Sequence, residues 1–252
     1  MTPDVVVDIG NTRIKWGWGD AYAPTPGMVS LPPDDEDAWD EQLTRLPNRD
    51  SYSWAIASVH PDRAARFAAW VHARGERCQV IEHAHVMLAM NVDEPHRVGI
   101  DRLLNALAAR NLVHPYSAIL ISIGTAVTVD LLDDEEGFQG GVIFPGPRLM
   151  AESLHAHTAK LPLVDAHTLP IMAAPAKNTN DAILAGIRAA IVGGVVHLAT
   201  QYAKREHAPW VVITGGAVGD LGRSDFGSLS QRTIVRPELT LEGIRIAAEA
   251  LP

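Results

Sequence analysis

Cysteine is nearly absent: Cys78 stands alone in 252 residues. A single thiol excludes an intramolecular disulfide and fits a reducing compartment. Positive charge is also scarce, with 21 Lys and Arg against 30 Asp and Glu and a net charge of −9. That balance argues against a nucleic-acid partner, because phosphate backbones attract positive surfaces. No uninterrupted apolar run approaches membrane-spanning length. No signal-peptide pattern precedes the first strand, and no low-complexity tract or short-period repeat is visible. The expectation is a soluble, cytoplasmic protein with neither a membrane nor a nucleic-acid partner. What is present is ordinary: 47% apolar and 20% charged residues, enough core for one large or two medium domains.

The first informative segment is Val5-Val6-Val7-Asp8-Ile9-Gly10-Asn11-Thr12-Arg13-Ile14-Lys15-Trp16. A β-branched run reaches a carboxylate, a Gly and two small polar residues, then resumes as an alternating strand. This predicts a β-hairpin whose tight turn carries Asp8, Asn11 and Thr12 beside backbone N–H groups. Such a turn can cradle phosphate oxygens while the carboxylate holds a hydrated Mg²⁺. It can equally be a plain Asn-containing hairpin. A second Gly turn, Gly124-Thr125-Ala126, joins the apolar run 118–123 to a return strand 127–132. A third strand-to-Gly junction follows at Thr214-Gly215-Gly216. Glycine admits close backbone approach to phosphate or adenine, and the Thr hydroxyls donate hydrogen bonds.

Strands alternate with helices along the rest of the chain. The acidic, Pro-rich stretch 32–37 reads as a solvated connection or a helix start. Strand 52–59 precedes a helix 61–74, opened by Pro61 and stopped by Gly75. A short strand 78–81, a helix 99–113, a strand near 139–144, two helical stretches (the second over 179–205), a buried strand 211–214 and a closing helix 239–251 complete the pattern. Hairpin-led sheets followed by helices occur twice, which predicts two α/β halves, 1–115 and 116–252, with a cleft between them.

Arg97-Val98-Gly99-Ile100-Asp101-Arg102 reads as a loop entering a helix. Asp101 and Arg102 then lie in its first turn, where the helix dipole favours an ionised carboxylate. A carboxylate within reach of a primary hydroxyl can accept its proton during phosphoryl transfer. Arg102 suits a substrate carboxylate through its planar fork. The plain reading is a helix N-terminal acid beside a surface cation.

Six collinear segments now resemble the type III pantothenate kinases, a family of the actin-like and sugar-kinase-like ATPase superfamily. Residues 8–12 are similar to its first phosphate motif and residues 124–130 to its second. Gly99-Ile100-Asp101-Arg102 is similar to its substrate signature. Gly140-Gly141-Val142-Ile143-Phe144-Pro145-Gly146, Thr158-Ala159-Lys160-Leu161-Pro162 and Lys177-Asn178-Thr179 with Ala182 and Gly186 are similar to three further segments. The resemblance implies two related actin-like (ribonuclease H-like) α/β halves and ATP-dependent phosphorylation of pantothenate, the first step of coenzyme A synthesis. It implies Asp101 as general base and Asp8 as a Mg²⁺ contact. It places Asp8, Ile9, Gly10, Asn11, Thr12, Arg13, Ile14, Lys15 and Thr125 at ATP. Gly99, Ile100, Asp101, Arg102 and Thr179 fall at the substrate, while Thr179 also reads as a helix N-cap. Gly215 and Gly216 would approach the adenosine, and Asp130 would support either the metal shell or only the hairpin. A homodimer completing the substrate pocket is implied as well.

Two positions depart from the family pattern. Ser122 occupies a site where many members carry an Asp ligand for a monovalent cation (K⁺ or NH₄⁺). Val92 replaces a substrate-touching Tyr. Two other readings stay open: a non-catalytic accessory member of the family, and a related kinase or phosphatase acting on a sugar or polyphosphate. His83-Ala-His85 and His155-Ala-His157 have same-face strand spacing but lack the further ligands that a zinc site needs. Trp16 and Trp18 read as packing residues, and Gly186, Gly193 and Gly194 as permitting close helix packing.

Overall fold

The computed structural model describes residues 2–19, 27–47, 49–168, 170–206, 208–216, 226 and 230–251. Two compact units form. The first comprises residues 1–89, 93–108 and 238–252, the second residues 90–92 and 109–237.

In the first unit, strands β1 (Val5–Ile9), β2 (Ile14–Trp18) and β3 (Gly27–Leu31) form an antiparallel meander. Helix α1 (Glu36–Leu43) follows, then β4 (Ser53–Ser58), α2 (Pro61–His72) and β5 (Arg77–Val80). β4 lies parallel to β1, and β5 parallel to β4, in the order β3-β2-β1-β4-β5. The acidic stretch is a helix start: the Asp35 side chain caps α1 by accepting from the Ala38 N–H. Pro61 at the first turn and Gly75, with φ of +73°, bracket α2 and its short tail as expected. Trp16, Trp39, Trp54, Phe67 and Trp70 meet edge to face or tilted and fill this unit's core.

The second unit repeats the pattern. Strands β6 (Ala118–Ile123), β7 (Ala126–Asp133) and β8 (Gly137–Pro145) form the meander, after which come α4 (Pro147–His157), α5 (Thr179–Tyr202), β9 (Trp210–Thr214) and β10 (Thr233–Val235). β9 is parallel to β6 and β10 to β9, in the order β10-β9-β6-β7-β8. The two sheets therefore share one topology, the structural form of the two-fold echo in the sequence. Helix α5 is long and apolar enough to cross a membrane by length and composition. Its stripe Ile183, Ile187, Ile191, Val195 and Ala199 is nevertheless packed into the core of the unit. One side of this helix is core, and the rest of its apolar stretch lies outside it.

A single divide near residue 115 does not describe these units. Helix α3 (Ile100–Val113) begins in the first and ends in the second, and α6 (Leu239–Glu249) returns to the first. The reason is packing: a Cβ on Gly243 of α6 would stand 2.1 Å from the Leu104 carbonyl oxygen of α3, and the Thr240 hydroxyl donates to Asn105 Oδ1 at 2.8 Å. That close, buried contact holds the N-terminal turns of α3 against the C-terminal helix.

Candidate active site

Asp8 lies on β1 directly opposite Lys15 of β2. The connecting turn closes through the Gly10 N–H, which donates to the Arg13 carbonyl at 3.0 Å. Ile9 and Ile14 are fully buried, so they anchor the turn from beneath. Gly10, Thr12 and Lys15 are half-buried; Asn11 and Arg13 are exposed. Arg13 is engaged on the neighbouring strand: Nε donates to the Ser30 hydroxyl at 3.0 Å and Nη2 to the Ser30 carbonyl at 2.6 Å. A phosphate role for Arg13 thus competes with its bonds to β3.

Asp101 sits in the first turn of α3, as the sequence predicts, with Ile100 buried beneath it. Its Oδ1 accepts from the Arg102 backbone N–H at 3.0 Å. A Cβ on Gly99 would lie 2.6 Å from that same oxygen, so glycine there leaves the carboxylate its place. Upstream, His83 Nε2 lies 2.6 Å from the Val98 carbonyl oxygen and pins the approach to the turn.

Asp8 and Asp101, far apart in sequence, come within electrostatic reach of one another. Burial pushes the Asp8 carboxyl up to about 6, Lys15 opposes this, and the Asp101 charge adds to it. Burial likewise raises Asp101, opposed by the Arg102 N–H, the Arg102 charge and Lys15. Two half-buried carboxylates thus share Lys15, and the Arg102 charge acts on Asp101 as well. Hard oxygen donors in such a field fit a divalent cation, and a carboxyl raised by burial is a better proton acceptor than a solvated one.

In the second unit the turn at residues 124–126 is built like the first. The Gly124 N–H donates to the Ala126 carbonyl at 3.0 Å, and Thr125 is exposed at its tip. Two glycines press on this turn. A Cβ on Gly146 would meet the Gly124 oxygen at 2.1 Å, and one on Gly215, with φ of +109°, would meet the Ile123 oxygen at 2.3 Å. Ser122 pairs with Thr128 on one side and Thr214 on the other, a row of neutral hydroxyls across three strands. Asp130 is buried, 2% exposed, against Gly141. Val92 packs near Gly140.

A sequence profile of the type III pantothenate kinase family matches residues 5–201. This chain belongs to the type III pantothenate kinase family. The type III pantothenate kinase of Alkalilimnicola ehrlichii is 30% identical over 246 residues, 95% of each chain. That of an Azoarcus species is 33% identical over 257 residues, covering 98% of this chain and 90% of the relative. Among solved structures, a putative 2-dehydro-3-deoxygalactonokinase from Sinorhizobium meliloti superposes with a TM-score of 0.57 at 12% identity over 98% of both chains. The ADPNP-bound activator of 2-hydroxyisocaproyl-CoA dehydratase from Clostridium difficile gives 0.51 at 13% identity, over 98% of this chain and 96% of that one. These likenesses show the fold alone, an α/β arrangement with two five-stranded mixed sheets.

Several expectations change against this pantothenate kinase framework. Thr179 is not the N-cap of α5: Asn178 is, its Oδ1 accepting from the Asp181 N–H at 2.9 Å, and Thr179 is the exposed first helical residue. His83-Ala-His85 is a single 3₁₀ turn and His155 and His157 end α4, so neither pair has strand spacing. His83 serves the Val98 carbonyl, and His155 Nδ1 lies 2.9 Å from the Leu161 carbonyl oxygen. Gly186 and Gly193 have open space around them within this chain, and Gly194 faces the Phe144 ring. Sequence reasoning missed Arg63 and Ser58. Their bonds to the first turn span about fifty residues, and no local pattern marks them.

Proposed function

We propose that this chain transfers the γ-phosphoryl group of ATP to the primary hydroxyl of pantothenate. The observation that carries the reading is Asp101 in the first turn of α3, within electrostatic reach of Asp8 beside the turn at residues 10–13. Asp101 accepts the hydroxyl proton as the oxygen attacks the γ-phosphorus and the β–γ bridging bond breaks, with ADP leaving. The loose transition state of phosphoryl transfer asks chiefly for position and charge, so a carboxylate raised by burial is base enough. Asp8 would hold Mg²⁺, which supplies charge neutralisation at the phosphates. The turn at residues 10–13 and Thr125 receive the ATP phosphates, with Ile9 and Ile14 anchoring the turn from beneath and Lys15 adding the local positive charge. Gly99, Ile100, Arg102, Val92 and Thr179 form the pantothenate contacts, Arg102 reading the substrate carboxylate. Ser122 offers a monovalent cation only a neutral hydroxyl, a weaker ligand than carboxylate.

We further infer a homodimer. The larger part of the most apolar stretch of α5 lies outside its unit's core, and Ala182, Gly186, Ala189 and Gly193 on that helix are exposed. Ile143, Leu149 and Leu154 are exposed on β8 and α4 of the same unit. A second copy of this chain is the occupant that the family resemblance implies, and sedimentation of the purified protein tests it.

The decisive assay is pantothenate-dependent ADP formation in wild type and Asp101→Asn. Loss of a general base is expected to lower kcat by about 10²- to 10⁴-fold. Absence of pantothenate-dependent turnover in the wild type overturns the kinase reading.

A further inference from the structure

We propose that Arg63 is a positioning residue that sets the direction of the N–H groups in the first phosphate turn. The inference rests on the reading of residues 10–13 as a nucleotide turn and names what shapes it. Three successive carbonyls at this turn are held from one short segment of the chain. The Ile9 oxygen accepts from the Val59 N–H at 3.3 Å and from the Ser58 hydroxyl at 3.1 Å. The Gly10 oxygen accepts from Arg63 Nη1 at 3.3 Å, and the Asn11 oxygen accepts from the same nitrogen.

Arg63 reaches there because Pro61 starts α2 immediately after that segment, and helical side chains lean toward the N-terminus. The other edge of the guanidinium is fixed by Asp34: Nε donates to Oδ1 at 3.2 Å and Nη2 to Oδ2 at 2.8 Å. The planar fork is thus spanned between a carboxylate and two backbone carbonyls, a geometry that an ammonium cannot reproduce. The Arg63 side chain is only 20% exposed, so its charge is shielded from solvent more than that of an ordinary surface pair.

Peptide planarity converts this grip into a property of the turn. In a trans peptide the C=O and the following N–H point in opposite directions. The cis bonds among the described residues lie at Pro115 and Pro175, not here. Fixing the Gly10 and Asn11 carbonyls on Arg63 therefore aims the Asn11 and Thr12 N–H groups to the side away from α2. A cation on the carbonyl oxygen also polarises the peptide and makes its N–H a stronger donor. Both effects favour an anion on the far side of the turn.

The test is Mg²⁺-ADP binding by calorimetry together with steady-state kinetics for Arg63→Gln and Arg63→Lys. Arg66→Gln is the matched control on the same helix, since Arg66 pairs with Glu36 and Asp34 and not with the turn. Loss of a charged hydrogen-bonding group is expected to raise the ADP Kd and the ATP KM by about 10-fold in Arg63→Gln, with the pantothenate KM within about 2-fold. Arg63→Lys should fall between, and Arg66→Gln should match wild type. Amide exchange over residues 9–14 should quicken in both Arg63 variants while β1 upstream is unchanged, a readout that holds even if turnover is lost. An ADP Kd and ATP KM within about 2-fold of wild type in Arg63→Gln overturn the proposal. Thr12→Ala separates the two failures. If it weakens ADP binding while Arg63→Gln does not, only the role of Arg63 falls. If neither does, the nucleotide reading of the turn falls with it.

Discussion

Replacing Asp8 by Asn should make the resting protein more stable while removing its activity. Asp8 is held in a half-buried place beside Asp101, and its carboxyl is pushed up from 3.8 to about 6. A pKa displacement of one pH unit is worth about 1.4 kcal/mol, so ionised Asp8 costs the folded state about 3 kcal/mol at neutral pH. This figure is a ceiling, because part of the carboxylate keeps its water. The sign follows from proton linkage. Between pH 3.8 and about 6 the folded state binds more protons than the unfolded state, so this contribution to stability falls as pH rises through that window. An amide carries no charge at any of these pH values. The advantage of Asp8→Asn should therefore be near zero at pH 3.5, grow through pH 4–6 and level off above pH 7 at up to about 3 kcal/mol, or about 6–12 °C in Tm. Urea unfolding of both proteins across this range, without nucleotide or metal, measures it. Saturating Mg²⁺-ATP should close most of this gap, since ligand at 100 times its Kd stabilises the wild type by about 2.7 kcal/mol and the variant forfeits much of that binding. A stability difference that is flat with pH, or an Asn variant less stable at pH 8, refutes the reasoning.

Three other outcomes follow from the same geometry. Gly99→Ala puts a methyl 2.6 Å from Asp101 Oδ1; displacing the carboxylate should cut kcat by about 10- to 100-fold with under about 1 kcal/mol lost in stability, measured by kinetics and urea unfolding. Gly146→Ala drives a methyl onto the backbone oxygens of Gly124 and Thr125 at 2.1 and 2.6 Å. Unable to relax through a flexible side chain, it should cost about 2 kcal/mol and raise the ATP KM, checked by thermal unfolding and ATP titration. Exchanging K⁺ for Na⁺ should alter wild-type kcat/KM by less than about 3-fold, because Ser122 is a neutral ligand among hydroxyls, whereas Ser122→Asp should acquire a K⁺ preference in the same assay.

Local chemistry alone determined much of this protein. Alternating β-branched residues around the 10–13 turn specify the β1–β2 hairpin, and Pro61 and Gly75 bracket α2, because these residues restrict or free the backbone where they stand. The position of Asp101 in a first helical turn follows from the same kind of signal. Strands β3 and β10, five and three residues long, lie outside the pattern read from the sequence. Tertiary structure decided what depends on distant partners. The return of α6 to the first unit rests on Gly243 meeting the Leu104 backbone. The displaced Asp8 carboxyl rests on burial and on Asp101, and the Arg63 grip on a carbonyl pair in the β1–β2 turn. His83, whose spacing to His85 lacks the further ligands of a metal site, becomes a backbone anchor because Val98 is folded onto it. A residue's type declares what it can bond. Only the folded chain supplies the partner, since solvation and distance are set by segments far away in sequence.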